Sequence, residues 1–232
     1  MPLHWFDSLA WLSRQALPLR CLVCDEAGAD GRDLCLACHA ALPWNEHACP
    51  LCALPLPADE PAQRCGSCLH DPPRQSAAAA VFLYAAPVDQ LLIRFKFHQD
   101  LAAGRLLSQL MLQRVPAFAT GPLAPVPLHW RRLRSRGYDQ ALELTRPLAR
   151  ALRRPLWCGL HRDRLTAAQS DLDADARRRN LRDAFAVTSP PPSRLTLVDD
   201  VMTTGATLDA AVHAVERAGL TDAALWVCAR VP

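Results

Sequence analysis

Leu195-Thr196-Leu197-Val198-Asp199-Asp200-Val201-Met202-Thr203-Thr204-Gly205-Ala206-Thr207 is the stretch on which the reading of this chain turns. The apolar, β-favouring residues 195–198 predict a strand, two carboxylates follow it, and a short hydroxyl-rich loop opens a predicted helix over 207–218. Thr203, Thr204, Ala206 and Thr207 carry small side chains and Gly205 none, so backbone N–H groups at the helix start can close around a phosphate. Asp199 and Asp200 stand at the carboxyl end of a strand, where α/β sheets take their ligands. They would repel a phosphate but accept hydrogen bonds from vicinal hydroxyls, and a phosphate beside a diol describes ribose 5-phosphate. An ordinary helix cap would explain one or two of these residues but not the ordered set.

Working outward, strands and helices alternate. The sequence predicts a strand over 79–84, helices over 88–97 and 102–113, and a short strand ending in Pro125-Val126-Pro127. A helix over 140–152 follows, then a long arginine-rich polar stretch to Phe185, and after the quoted segment a last strand over 223–228. This rhythm predicts an α/β domain with a mostly parallel sheet flanked by helices.

Before it lies a different kind of segment. Eight of the ten cysteines form four C-x-x-C pairs: Cys21/Cys24, Cys35/Cys38, Cys49/Cys52 and Cys65/Cys68, separated by 10, 10 and 12 residues. A C-x-x-C turn aims two thiolates at one point, so two pairs complete a tetrahedral site and eight thiolates imply two structural zinc ions. A thioredoxin-like redox motif needs one such pair, and buried thiols have no reason to repeat. The pairs can join sequentially or interleave, and the spacing does not choose; sequential pairing is the working expectation. A proline-bearing stretch, residues 70–76, suggests a boundary, giving an N-terminal helix and double ribbon over 1–75 and the α/β domain over 76–232.

Composition narrows the classes. Half of the 232 residues are hydrophobic, enough for a sizeable core, which sets disorder aside. Residues 1–17 read as an amphipathic helix interrupted by Asp7 and Arg14, and no stretch offers eighteen uncharged apolar residues, so no membrane span is expected and a cytoplasmic protein is. Residues 1–75 hold 5 basic against 9 acidic residues, whereas the remainder holds 21 against 14. The C-terminal part therefore suits an anionic partner, a phosphorylated small molecule or a nucleic-acid backbone.

The quoted segment resembles the type I phosphoribosyltransferase motif, an apolar strand, two acids and T-T-G-x-T. Upstream, Pro125-Val126-Pro127-Leu128-His129-Trp130-Arg131-Arg132-Leu133-Arg134-Ser135-Arg136-Gly137-Tyr138-Asp139-Gln140 resembles the ComF pattern P-V-P-L-x-x-x-R-x-R-x-R-G-F-N-Q, with Tyr138 and Asp139 in place of Phe and Asn. Residues 162–185 resemble the same family's R-x-R-x-T-x-x-Q and R-x-x-N-L-x-x-A-F blocks. Lys96, the sole lysine, stands in Phe95-Lys96-Phe97-His98-Gln99-Asp100, where the family reads K-Y-R-G-D.

The resemblance implies a ComF-type protein: a type I phosphoribosyltransferase fold behind a double zinc ribbon, binding 5-phosphoribosyl-1-pyrophosphate (PRPP) with Mg²⁺. It places Asp199 and Asp200 on the ribose hydroxyls, and Val201 with Thr203, Thr204, Gly205, Ala206 and Thr207 around the 5′-phosphate. Pro125, Val126 and Pro127 would form the pyrophosphate loop, and Lys96, Arg134 and Arg136 would meet the pyrophosphate, Arg136 at the catalytic centre. Two functions follow from it. One is pentosyl transfer from PRPP to an unidentified acceptor, in DNA uptake or nucleotide metabolism. The other is a non-catalytic competence factor that senses PRPP and binds single-stranded DNA and competence proteins, with the arginines on phosphates and Trp130 and Tyr138 on bases.

Overall fold

A computed structural model describes residues 18–58, 63–163 and 184–232 of the chain. The expected N-terminal helix over 1–17 and most of the third arginine-rich block lie outside the described residues. The chain divides into two compact units, one ending at Leu42 and the other beginning at Pro43.

Within the first unit, Cys21 opens a tight turn. Its N–H donates to Glu26 O at 2.8 Å, its carbonyl accepts from Asp25 N at 2.9 Å, and Asp25 takes a positive φ of 63°. The short helix α1 (Leu36–Ala40) supplies Cys38, with Cys35 as its cap. The same turn recurs 28 positions on. Cys49 N donates to Leu54 O, Ala53 N donates to Cys49 O, both at 2.8 Å, and Ala53 has φ 54°. There α2 (Gly66–His70) supplies Cys68.

The second unit continues into the α/β body. Strands β1 (Ala77–Leu83), β2 (Leu123–Pro125), β5 (Arg194–Met202) and β6 (Asp222–Arg230) form one four-stranded sheet in the order β1-β6-β5-β2, every pairing parallel. Helices α3 (Val88–Phe97), α4 (Leu101–Met111), α6 (Gln140–Ala151) and α7 (Ala206–Arg217) flank it. Leu195 and Leu197 pack with Leu208, Val212 and Val215 of α7, while α6 lies against β2 and β5. Trp226 is fully buried in β6, whose residues 223–229 are all buried, as a central strand covered on both faces requires.

In the α/β body, one helix and one strand pair were not anticipated. The arginine-rich stretch after β2 forms α5 (Trp130–Arg136), started by His129, whose Nδ1 accepts from Arg131 N at 3.2 Å, and stopped by Gly137 at φ 85°. That left-handed position at a helix end suits a residue without Cβ. The long polar stretch is entered and left by an antiparallel hairpin pair, β3 (Leu160–Arg162) and β4 (Phe185–Val187). Among the described residues no helix is long and apolar enough to cross a membrane.

Candidate functional site

β5 carries Asp199 and Asp200 toward its carboxyl end, β2 ends beside it at Pro125, and α7 begins beyond Gly205. A cleft of about 170 Å³ lies at this edge of the sheet, walled by residues from six segments of the chain. Its walls include Asp199, Asp200, Val201 and Thr207 from the β5–α7 segment, Val126, Pro127 and Leu128 after β2, and Lys96 from α3. Arg132 and Arg136 of α5, Gln140 of α6 and Arg162 of β3 complete its polar surface. Thus Asp199, Asp200, Val201, Thr207, Val126, Pro127, Lys96 and Arg136 are brought together in one place. Pro125 is buried one residue before the walls, Arg134 is exposed on α5 away from them, and Thr203, Thr204, Gly205 and Ala206 form the adjoining turn.

In that turn Gly205 has φ 81°, with open space where a Cβ would project. The first helical turn closes when Asp209 N donates to Gly205 O at 2.9 Å, and Thr204 Oγ1 accepts from Ala206 N at 3.4 Å. The N–H groups of Thr207 and Leu208 precede any intrahelical acceptor, the arrangement that favours an anion at a helix start.

The charges are arranged in opposition. Lys96 Nζ lies 3.0 Å from Asp200 Oδ1, and Asp199 accepts from Asp200 N at 2.8 Å. Burial, and then the Asp200 charge, raise the Asp199 carboxyl well above the usual carboxylate range. Burial also lowers the Arg162 guanidinium, and the nearby Arg132 charge lowers it further. Arg136 donates to Gln140 Oε1 at 2.8 Å and lies 5.2 Å over the Phe97 ring. The other end of Gln140, its Nε2, is buried without a hydrogen-bond partner, leaving a donor for an oxygen-rich ligand.

Asp139 organises the floor. It is the N-cap of α6, accepting from Leu142 N at 3.0 Å, and its second oxygen accepts from Leu128 N at 2.7 Å. One carboxylate thereby fixes both the helix that presents Gln140 and the loop after β2. Burial raises the Asp139 carboxyl, although these two amides counter it. Tyr138 is held inward: its hydroxyl donates to Phe95 O and its ring lies 5.4 Å from that of Phe95. The expectation that Tyr138 stacks on bases is therefore corrected, since it anchors the residue preceding Lys96.

The cysteines assemble as two clusters, Cys21, Cys24, Cys35 and Cys38 in one unit and Cys49, Cys52, Cys65 and Cys68 in the other, with all sulfurs of each cluster within 4.8 Å of one another. Pairing is sequential. Four zinc–thiolate bonds of about 2.3 Å arranged tetrahedrally set sulfur–sulfur edges of about 3.8 Å, so both clusters fit a structural zinc ion. Burial pushes the Cys49 thiol up, but the N–H groups of Cys65, Leu51 and Cys52 outweigh it and bring it down to about 7, toward the thiolate that the metal needs.

Comparison with known proteins agrees with both halves. The double zinc ribbon domain family matches residues 12–69. DNA utilization protein YhgH of Escherichia coli O157:H7 is 34% identical over 232 residues, covering 96% of this chain and 96% of that protein. The chain belongs to the ComF family. A second ComF relative, Competence protein F of Haemophilus influenzae, is 35% identical over 181 residues, covering 73% of this chain and 79% of that protein. Among solved structures, the glutamine PRPP amidotransferase from B. subtilis complexed with ADP and GMP covers 52% of this ComF chain and 25% of that one, with a TM-score of 0.37 and 20% identity.

Sequence reasoning did not single out Arg132, Arg162 or Gln140 as walls of the cleft. Arg132 and Gln140 stand inside the quoted ComF pattern, which was the available signal. Arg162 opens the family's R-x-R-x-T-x-x-Q block, but its arrival at the cleft follows from the β3–β4 pairing, a long-range fact.

Proposed function

We propose that this ComF protein binds PRPP in the cleft and serves in DNA uptake and utilization, as the names of its relatives suggest. The observation that carries the reading is the meeting of two vicinal-hydroxyl acceptors, Asp199 and Asp200, with Lys96, Arg132, Arg136 and Arg162 around 170 Å³ at the carboxyl ends of β2 and β5. The acids suit ribose hydroxyls, the β5–α7 turn suits a 5′-phosphate, and the four cations suit pyrophosphate. Mutual repulsion between Arg132 and Arg162 would be relieved by a polyanion, which makes their arrangement electrostatically receptive to one.

Displacement of pyrophosphate at the anomeric carbon would build negative charge on the leaving group, which Arg132, Arg136 and Arg162 are placed to stabilise. Asp199 and Asp200 would orient the ribose, and Gln140 Nε2 would donate to a ligand oxygen. Asp199 and Asp200 are hard oxygen donors of the kind Mg²⁺ takes together with substrate oxygens, and the ion would add charge neutralisation. The acceptor is left to an acceptor screen. The protein is proposed to work in the cytoplasm.

A second reading, a non-catalytic PRPP sensor that binds single-stranded DNA, is favoured by one specific feature. Trp130 is 55% exposed, with the Arg131 guanidinium 5.3 Å over its ring and Arg134 exposed on the same short helix. Titration calorimetry of the zinc-loaded protein with PRPP and Mg²⁺, beside a D199A/D200A double variant and a fluorescent oligonucleotide assay, decides. Saturable PRPP binding lost in the variant supports the phosphoribosyl site. Absence of PRPP binding with salt-sensitive oligonucleotide binding overturns it.

A further inference from the structure

The Cys49–Cys52 turn is held by the α/β body through three consecutive carbonyls. Ala78 N donates to Pro50 O at 2.7 Å, Gln75 Nε2 donates to Leu51 O at 2.7 Å, and Arg230 Nε donates to Cys52 O at 3.2 Å. Arg230, at the end of β6, does more than close this row. Its Nη1 donates to Met202 O at 3.3 Å, to Thr203 O at 2.5 Å and to its neighbour Val231 O. One guanidinium thus joins the backbone of a zinc-ligating residue to the backbone of the turn that opens α7.

We propose that Arg230 is a positioning residue through which zinc in the second ribbon braces the turn at residues 203–207. Peptide planarity supplies the means: fixing the Met202 and Thr203 carbonyls toward the guanidinium points the Thr203 and Thr204 N–H groups away from it. These are the first amides of the proposed phosphate cradle. On the other side, a zinc ion held by the four-sulfur cluster would fix Cys52 through its sulfur, and with it the Cys52 carbonyl as an acceptor for Arg230. A lysine cannot replace the planar fork, whose donors leave in different directions. The coupling concerns this chain's own backbone; only the identity of what the turn binds rests on the phosphoribosyl reading.

The test is hydrogen exchange at amides 203–208, with amides of α4 as the internal reference. R230M is expected to speed exchange in the turn at least tenfold while leaving α4 and the zinc content unchanged, with R230K intermediate. C68A, which opens the cluster, is expected to reproduce the effect, and C68H, which keeps a zinc ligand, to restore protection. Unchanged turn exchange in R230M, or equal acceleration in α4, overturns the proposal, as does full protection of the turn in C68A. Calorimetry then separates this from the functional reading. R230M is expected to bind ribose 5-phosphate about tenfold more weakly but inorganic pyrophosphate as tightly as the unaltered protein. If the unaltered protein binds neither, the phosphoribosyl reading falls while the exchange result still decides the brace.

Discussion

Lys96 Nζ and Asp200 Oδ1 form a 3.0 Å ion pair, linking α3 to the carboxyl end of β5, with side chains 20% and 12% exposed. Removing the cation leaves Asp200 partly buried beside Asp199 with its Lys96 partner gone. K96M is therefore expected to lower stability by about 2 kcal/mol and to weaken pyrophosphate binding about tenfold. Urea unfolding and calorimetry check this, with K96R expected to recover most of both; a silent K96M would remove Lys96 from the site.

Asp199 gives a pH signature. Its carboxyl keeps its proton in the folded protein at pH values where the unfolded chain has lost it, because burial and then the neighbouring Asp200 charge raise it. The folded state binds the extra proton, so stability falls as pH rises from the ordinary carboxylate range through the raised value. D199N is expected to melt higher than the unaltered protein at pH 7.5, by roughly 2–4 °C for each kcal/mol recovered, and to converge with it near pH 3.5. The same variant is expected to lose ribose 5-phosphate binding. A difference in melting temperature that is constant with pH would contradict the assignment.

Gln99 adopts φ 56° in the turn between α3 and α4, where the ComF pattern has glycine. The turn survives because Asp100 caps α4, accepting from Ala103 N at 3.0 Å, while its other oxygen takes the Arg94 guanidinium at 2.6 Å. Q99G is expected to gain about 0.5–1 kcal/mol by relieving the left-handed strain. Chemical denaturation reads the gain as a higher midpoint at unchanged slope.

The two zinc sites differ in protection. Cys24 is exposed and Cys38 half-buried in the first cluster, whereas Cys49, Cys65 and Cys68 are buried in the second. A chelating dye is expected to take two equivalents in two phases, the faster one abolished by C24S and the slower by C52S. A single phase would show that the sites open together.

The β5–α7 segment was legible because strand, acids, glycine turn and helix are contiguous, so local geometry forces their juxtaposition. The cysteine clusters were legible for a similar reason, repetition at a fixed spacing. The α5 helix was not, since its polar arginines carry no apolar periodicity and its limits depend on a histidine cap and on Gly137. Lys96 could be suspected only from its motif. What seats it is the Tyr138 hydroxyl on Phe95 O, a contact 43 positions apart in the chain.

The row of carbonyls at Pro50, Leu51 and Cys52 bears on how this protein could be shortened. β1 is an outer strand of its sheet, and Pro43, Asn45 and Pro50 supply backbone partners along its outward side, to Leu83 N, Val81 O and Ala78 N. A fragment beginning near residue 76 would leave those groups bare, with Ala-rich, uncharged β1 ready to pair with another molecule. A fragment beginning at Pro43 keeps its own edge guard, so it should stay monomeric under conditions in which the shorter one self-associates.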